Sequence, residues 1–252
     1  MIENSFIFLD GIREKTEQNI WNQGIYNWDS FIQAKAVKGI GNTRKCYYDR
    51  QLEQARKELH DYGFLNRFPL CETWRIYDYL KDECVFLDIE TSGIGKHCDI
   101  TVVGLFDGIE TKSMIAGINL DLRALKRELE RYKMIVTFNG AAFDIPFIKK
   151  RYPSLLPEVP HLDLRFACEK AGLSGGLKKI EKELGIARNK LIDDLYGGDP
   201  YLLWRMFRGS GDEHYLNLLV EYNEDDVFNL KKIADYACDK LKSDILKTMY
   251  EP

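Results

Sequence analysis

The sequence lacks the features that mark disulfide-bonded, secreted and membrane-spanning proteins. Its six cysteines are scattered without any Cys-x-x-Cys pair, so reduced, packed thiols are expected rather than disulfides or a zinc site. No apolar run approaches the length of a membrane span, and the N-terminus lacks the basic start, apolar stretch and cleavage site of a secretory signal. We therefore expect a cytoplasmic protein that makes no contact with a membrane.

An overall excess of basic residues is also missing. The formal net charge is −4, so the chain has no global positive field that would attract nucleic acid. Basic residues nevertheless cluster between Lys35 and Lys57, where seven bases and two acids give a local charge of +5. This stretch predicts either a phosphate-binding surface or a solvated helix face, and the pattern alone favours neither.

The chain divides near residue 80 into a helical segment (1–80) and an α/β segment (81–252). In the first segment, apolar residues at intervals of three and four predict a helical stripe. These residues are Trp21, Ile25, Trp28, Phe31 and Ile32. In the second segment, strands are predicted at about 84–90, 99–107, 110–116 and 133–139. Helices are predicted at about 121–131, 143–151, 164–171, 176–185, 200–208 and 213–241. This order indicates an α/β fold with a mixed sheet.

Two stretches of the helical segment echo one another. "LDGIREKTEQ" from Leu9 and "VKGIGNTRKC" from Val37 both place Gly-Ile before a polar helical stretch. A glycine-apolar-glycine turn at a helix start lets backbone N–H groups approach a phosphate, and the pattern resembles the DNA-binding helix-hairpin-helix module. We assign Lys38, Arg44 and Lys45 as candidate substrate-binding residues. In the first copy Arg13 replaces the second glycine, and two ordinary helix-connecting turns remain the alternative.

The first strand of the α/β segment ends with two acids. The apolar run "CVFL" leads into Asp88 and Glu90, which are two residues apart and therefore point to the same face of a strand. Like charges held this close repel one another, and burial would raise their pKa values, so cations are expected to offset them. Taken alone, a solvated strand end explains the pair equally well.

Two further segments carry acids at defined positions. In "TFNGAAFDIPF" a strand runs into Asn139-Gly140 and then into a helix that carries Asp144. In "EYNEDDVFNL" the residues Tyr222 and Asp226 are four apart and share one face of the last helix. Taken singly, Asp144 could stabilise its helix through the macrodipole, and the other two could be a surface pair. The neighbouring Glu224 and Asp225 are expected on the helix surface.

Together, the three segments resemble the motifs of the DEDD exonuclease superfamily, in its tyrosine branch, within the ribonuclease-H-like fold. Those motifs are Asp-x-Glu, Asn-Gly-x-x-Phe-Asp and Tyr-x-x-x-Asp, and all three are intact here. The proofreading domains of family-B DNA polymerases carry similar motifs. A helical segment before an exonuclease domain is similar to YprB-like ribonuclease-H-like proteins. No histidine stands where Tyr222 does, which excludes the histidine branch. The resemblance implies a mixed five-stranded sheet flanked by helices.

The resemblance also implies a metal-dependent 3′–5′ exonuclease that acts on the ends of DNA or RNA. Hard carboxylate oxygens suit two Mg²⁺ or Mn²⁺ ions. By resemblance, Asp88 would bridge the two ions, while Glu90 and Asp226 would hold the ion that binds the attacking water. Asp144 would support the second ion, and Tyr222 would orient the water, because a phenol with a pKa of about 10 is a poor base. The alternatives are a structure-selective endonuclease with the same site and a non-catalytic nucleic-acid-binding protein.

Several side chains near the motifs are candidates for a substrate pocket. We expect Thr91, Asn139 and Phe143 to contact the terminal nucleotide, since an aromatic ring there can stack on a base. Packing in the core is the alternative for a ring such as Phe143 or Phe138. His161 and Asp163 either support the site or mark a strand end with a capping aspartate.

Overall fold

The computed structural model describes residues 1–59, 62–93, 95, 98–188 and 199–250. Five strands form one sheet in the spatial order β3-β2-β1-β4-β5. Their bounds are β1 Cys84–Thr91, β2 Ile100–Phe106, β3 Thr111–Ile115, β4 Met134–Thr137 and β5 His161–Asp163. β2 pairs antiparallel with both β1 and β3, whereas β4 pairs parallel with both β1 and β5. The expected mixed five-stranded sheet flanked by helices is confirmed.

Helices surround this sheet and make up the N-terminal segment. In that segment they are α1 Glu14–Trp21, α2 Trp28–Gln33, α3 Asn42–Lys57, α4 Tyr62–Leu65 and α5 Tyr77–Leu80, with 3₁₀ helices at Ile2–Asn4 and Leu70–Ile76. After the first strands come α6 Leu122–Leu129, α7 Asp144–Arg151, α8 Leu164–Lys170, α9 Leu177–Glu183, α10 Pro200–Ser210 and α11 Glu213–Tyr250. None of the helices in these described ranges is long and apolar enough to cross a membrane.

Three elements differ from the sequence-based prediction. β5 is absent from the predicted strands, because three residues are too few to display an alternating pattern. The apolar stripe from Trp21 to Ile32 does not lie on one helix. Gly24 adopts a left-handed backbone with φ of 78°, and Asn27 then starts α2 by accepting a hydrogen bond from the Ser30 N–H at 2.8 Å. α11 continues nine residues past its predicted end, where Met249 is buried in the core.

The two faces of β1 belong to different parts of the core. Leu87 and Ile89 pack with the side chains of α6 and α7 on one face. Phe86 packs on the other face with the apolar residues of α11, such as Val227, and with the helical N-terminal segment. Because side chains alternate along a strand, Asp88 and Glu90 lie on the face that α11 covers. This core crosses residue 80 without a break, and the division into two domains there stays a prediction.

A network of buried and partly exposed ion pairs also joins the helical segment to the α/β segment. The Arg75 guanidinium, only 4% exposed, lies 3.0 Å from the Glu17 carboxylate and 2.6 Å from that of Glu72. Lys170 of α8 pairs with Glu72 and with Glu14 of α1. Since buried charges require partners, this network fixes the N-terminal helices against α8.

Candidate active site

The sheet and the long C-terminal helix bring three carboxylates together. Asp88 and Glu90 come from β1, where they lie opposite Gly104 and Val102 of β2. Asp226 comes from α11 and is only 6% exposed. One carboxylate oxygen from each of these three side chains lies within 4.8 Å of the others. The structure therefore places the acids of the first and third motifs at one point.

Asp144 borders this cluster. It is the first residue of α7, is 4% exposed, and accepts a hydrogen bond from the Ile89 N–H at 3.1 Å. Burial raises the pKa of Asp88 and the charge of Asp144 raises it further, so the two carboxylates are close enough to interact. In the described residues, the group of carboxylates within 4.8 Å of one another does not include Asp144. The four predicted acids thus share one site, with Asp144 at its side.

The turn before Asp144 is held by an aspartate from β5. Asp163 is 1% exposed, and its carboxylate accepts hydrogen bonds from the N–H groups of Asn139 at 2.7 Å and Ala141 at 2.9 Å. Asn139 adopts a left-handed backbone with φ of 61°. Gly140 is required because a Cβ there would lie 2.2 Å from the Thr137 hydroxyl oxygen. Asp163 also caps α8, as its position before that helix predicted, so one carboxylate holds both the turn and the helix start.

Two residues that the motif analysis missed fix the orientation of Asp88. The Asn223 side-chain amide donates to Asp88 Oδ2 at 2.8 Å and is fully buried. Its oxygen lies only 2.1 Å from where a Cβ on Gly104 would stand. A glycine inside a strand often marks such a close approach, and Gly104 was the available sequence signal. No sequence signal pointed to Asn223, because the residue that it contacts, Asp88, lies 135 residues away along the chain.

Tyr222 and Asp226 share a face of α11, as predicted, and a third missed residue contacts both. Arg188 forms an ion pair with Asp226, and its guanidinium lies 5.5 Å from the centre of the Tyr222 ring. The Lys178 ammonium lies 5.2 Å from the same ring centre. Tyr222 also packs against a small apolar cluster that contains Leu203 of α10 and Leu219 of α11. The tyrosine is therefore held between apolar side chains and two cations.

Burial dominates the electrostatics of the cluster. Burial raises the pKa of Asp88 and of Glu90 well above the ordinary values, and the surrounding carboxylates raise both further. Burial raises the pKa of Asp226 to about 7 although Arg188 opposes it, and raises the pKa of Asp144 to about 6 although the Ile89 N–H opposes it. Burial also raises the pKa of Tyr222, which keeps the phenol neutral. Burial therefore favours retention of protons by these carboxylates when no divalent cation is bound.

These features fit a divalent cation. The donors are all carboxylate oxygens, which suit Mg²⁺ and Mn²⁺ rather than soft metals. A cation held by Asp88, Glu90 and Asp226 would offset their mutual repulsion and displace the retained protons.

A groove of about 590 Å³ has both Asp88 and Asp226 among its lining residues. Phe138 and Asn139 line it, and the Asn139 side-chain oxygen accepts a hydrogen bond from Arg165 at 2.7 Å. The other predicted pocket residues make local contacts. The Thr91 hydroxyl donates to the Gly93 carbonyl at 2.8 Å, and the Phe143 ring lies 5.8 Å from that of Phe147.

The candidate phosphate contacts of the helical segment differ in exposure. Lys38 and Arg44 are exposed. Lys45 is only 5% exposed, pairs with Asp49 at 2.6 Å and lies over the Phe31 ring. Its ammonium is thus already engaged, and the structure does not support a phosphate contact for Lys45.

Comparison with known proteins assigns the family. A family profile described as the RNase_H superfamily matches residues 85–238. The chain belongs to the RNase_H superfamily. It is 26% identical over 199 residues to the uncharacterized protein YprB of Bacillus subtilis (strain 168), an alignment that covers 71% of this chain and 48% of YprB. This chain thus spans about half the length of that relative. The ribonuclease-H-like, YprB-like character expected from the three motifs is confirmed.

Two solved structures are also similar to this RNase_H superfamily member. One is the family B DNA polymerase from the archaeon Pyrobaculum calidifontis, with a TM-score of 0.45 and 16% identity, covering 65% of this chain and 24% of the polymerase. The other is the Aedes aegypti Nibbler EXO domain, with a TM-score of 0.41 and 12% identity, covering 70% of this chain and 90% of that domain.

Proposed function

We propose that this chain is a metal-dependent 3′–5′ exonuclease that hydrolyses the phosphodiester bonds of DNA or RNA. The observation that carries the proposal is the convergence of Asp88, Glu90 and Asp226 within 4.8 Å, with Asp144 beside them. The adjoining groove has the size of an ordinary small-ligand site and suits one terminal nucleotide. Membership of the RNase_H superfamily supports chemistry on nucleic acid.

The proposed mechanism divides the work among named side chains. Two divalent cations, Mg²⁺ or Mn²⁺, when bound supply an activated water and stabilise the leaving oxygen. Asp88, Glu90 and Asp226 would hold these ions, and Asp144 would support the site from the side of α7. Asn223 keeps the Asp88 carboxylate in one orientation through its 2.8 Å hydrogen bond. Tyr222 hydrogen-bonds the attacking water as a neutral phenol, because its raised pKa prevents it from acting as a base.

The substrate contacts in this proposal follow the groove and the exposed bases. Asn139, which lines the groove, positions the terminal nucleotide together with Thr91 and Phe143. Lys38 and Arg44 contact backbone phosphates farther along the strand, which would add a salt-dependent but sequence-independent contribution to affinity.

The decisive experiment compares two neighbouring aspartates on α11. Purified wild type, Asp226→Asn and Asp225→Asn are incubated with 5′-labelled linear DNA and RNA single strands, in Mg²⁺, Mn²⁺ or EDTA. Asp225 makes the matched control because the same charge is removed one residue away, outside the carboxylate cluster. We expect a ladder that shortens from the 3′ end, a loss of more than about a hundredfold in Asp226→Asn, and near-normal rates in Asp225→Asn.

Other outcomes select the alternatives. Cleavage of a circular single strand would replace the exonuclease by a structure-selective endonuclease with the same site. Binding of both nucleic acids without any cleavage by the wild type would indicate a non-catalytic nucleic-acid-binding protein.

A further inference from the structure

A buried arginine contacts one acid of the cluster, although none of the three sequence motifs includes an arginine. Arg188 follows α9, and its side chain is only 10% exposed. The guanidinium donates through Nη2 to Asp226 and through Nε to Glu181. It also lies over the ring of Tyr222. One cation therefore contacts two of the five proposed catalytic residues.

The other end of this arginine is anchored by a built polar network. Glu181 of α9 is 1% exposed, and its second carboxylate oxygen accepts a hydrogen bond from the Asn229 amide at 2.9 Å. Asn229 lies on α11 and is also 1% exposed. A buried carboxylate needs a cation, and Glu181 is not one of the clustered acids Asp88, Glu90 and Asp226. Glu181 thus holds Arg188 in place independently of any metal.

The shared carboxylate creates a conflict of charge. Asp226 is engaged by the Arg188 guanidinium and is also one of the three side chains that can hold a divalent cation. A guanidinium and a divalent cation on the same carboxylate repel each other, and burial strengthens the repulsion. Each therefore weakens the binding of the other.

We infer that Arg188 is a resident counter-cation for Asp226 when metal is absent and competes with the divalent cation for that carboxylate. This inference rests on the proposed function, because it assigns to Arg188 control of the metal affinity of that site. Glu181 retains the guanidinium nearby when Asp226 turns to the metal. The competing explanation is a positioning residue that orients Asp226 for the metal and therefore strengthens metal binding.

The experiment measures metal binding in the absence of nucleic acid. Mn²⁺ is titrated into metal-free wild type, Arg188→Gln and Arg188→Lys, and free Mn²⁺ is followed by electron paramagnetic resonance. We expect Arg188→Gln to bind Mn²⁺ about tenfold more tightly or better, because one repelling charge is lost, and Arg188→Lys to stay near the wild type. Metal-free Arg188→Gln should unfold at a lower temperature, and saturating Mn²⁺ should narrow that difference.

A double variant separates the charge effect from a folding defect. Glu181→Gln combined with Arg188→Gln removes both members of the buried pair, so the metal-free protein should recover stability while its Mn²⁺ affinity stays above that of the wild type. Unchanged or weaker Mn²⁺ binding by the folded double variant would overturn the inference and assign Arg188 the positioning role.

These measurements test the proposed function and the inference about Arg188 separately. If the wild type binds no Mn²⁺ and cleaves nothing, both the proposed function and this inference are wrong. If the wild type binds Mn²⁺ and cleaves, but loss of the Arg188 charge does not tighten binding, only the inference is wrong.

Discussion

Gly104→Ala tests whether the orientation of Asp88 depends on Asn223. The added Cβ would stand 2.1 Å from the Asn223 oxygen and 3.1 Å from a Val227 methyl carbon. Relief of the first contact requires the Asn223 amide to move by about 1 Å, since non-bonded carbon and oxygen atoms do not approach so closely. That movement lengthens or breaks the 2.8 Å hydrogen bond to Asp88. The substitution thus acts on a metal ligand from the neighbouring strand.

The expected magnitudes follow from these contacts. Overpacking of a buried site costs about 1–3 kcal/mol, and each kcal/mol lowers the Tm of a protein of this size by about 2–4 °C. A misplacement of about 1 Å at a catalytic group can reduce the rate about a hundredfold. We therefore expect Gly104→Ala to lower the Tm by roughly 2–12 °C. We also expect it to lower kcat/KM on a single-stranded substrate by about a hundredfold.

Thermal unfolding and single-strand cleavage measure these two quantities. Gly209→Ala is the matched control, because Gly209 lies on α10 and a Cβ there meets no atom within 4 Å. It should leave activity unchanged and raise the Tm slightly, as alanine favours a helix over glycine. Adding Asn223→Ala to Gly104→Ala removes the clash and should recover Tm without recovering activity. Normal Tm and normal activity in Gly104→Ala would refute the role given to Asn223.

Three further predictions concern buried titratable or charged side chains. Burial lowers the pKa of His161 from 6.5 to about 4. Between these two pH values the unfolded chain therefore binds more protons than the folded chain, so the free energy of unfolding falls as the pH drops. Urea unfolding should show the wild type losing up to about 3 kcal/mol more than His161→Gln between pH 7 and 4, whereas equal losses would contradict the shift. Arg75→Met should cost about 3–5 kcal/mol in the same assay, because it strands Glu17, while the exposed Arg56→Met should cost less than about 1 kcal/mol. Mn²⁺ at a hundred times its Kd should stabilise the wild type by about 2.7 kcal/mol and Asp226→Asn far less; equal stabilisation would place the metal elsewhere.

The sequence alone determined which acidic residues are candidates and on which side of their own strand or helix they lie. The two-residue spacing of Asp88 and Glu90 places both on one side of a strand, and the four-residue spacing of Tyr222 and Asp226 places both on one side of a helix. Such periods depend only on local backbone geometry, which the order of residues specifies. The same local patterns predicted four of the five strands, and the resemblance of the three motifs to a known family predicted the superfamily.

Tertiary structure decided which side chains complete the site. Asn223 reaches Asp88 across 135 residues, and Arg188 reaches Asp226 across 38, so neither contact has a periodic signal. Burial also removed Lys45 from the candidate phosphate contacts, although its position among bases resembles that of the exposed Arg44. The sequence specifies the chemical groups of each side chain. Its charge partners and its access to water depend on packing between elements that are distant along the chain.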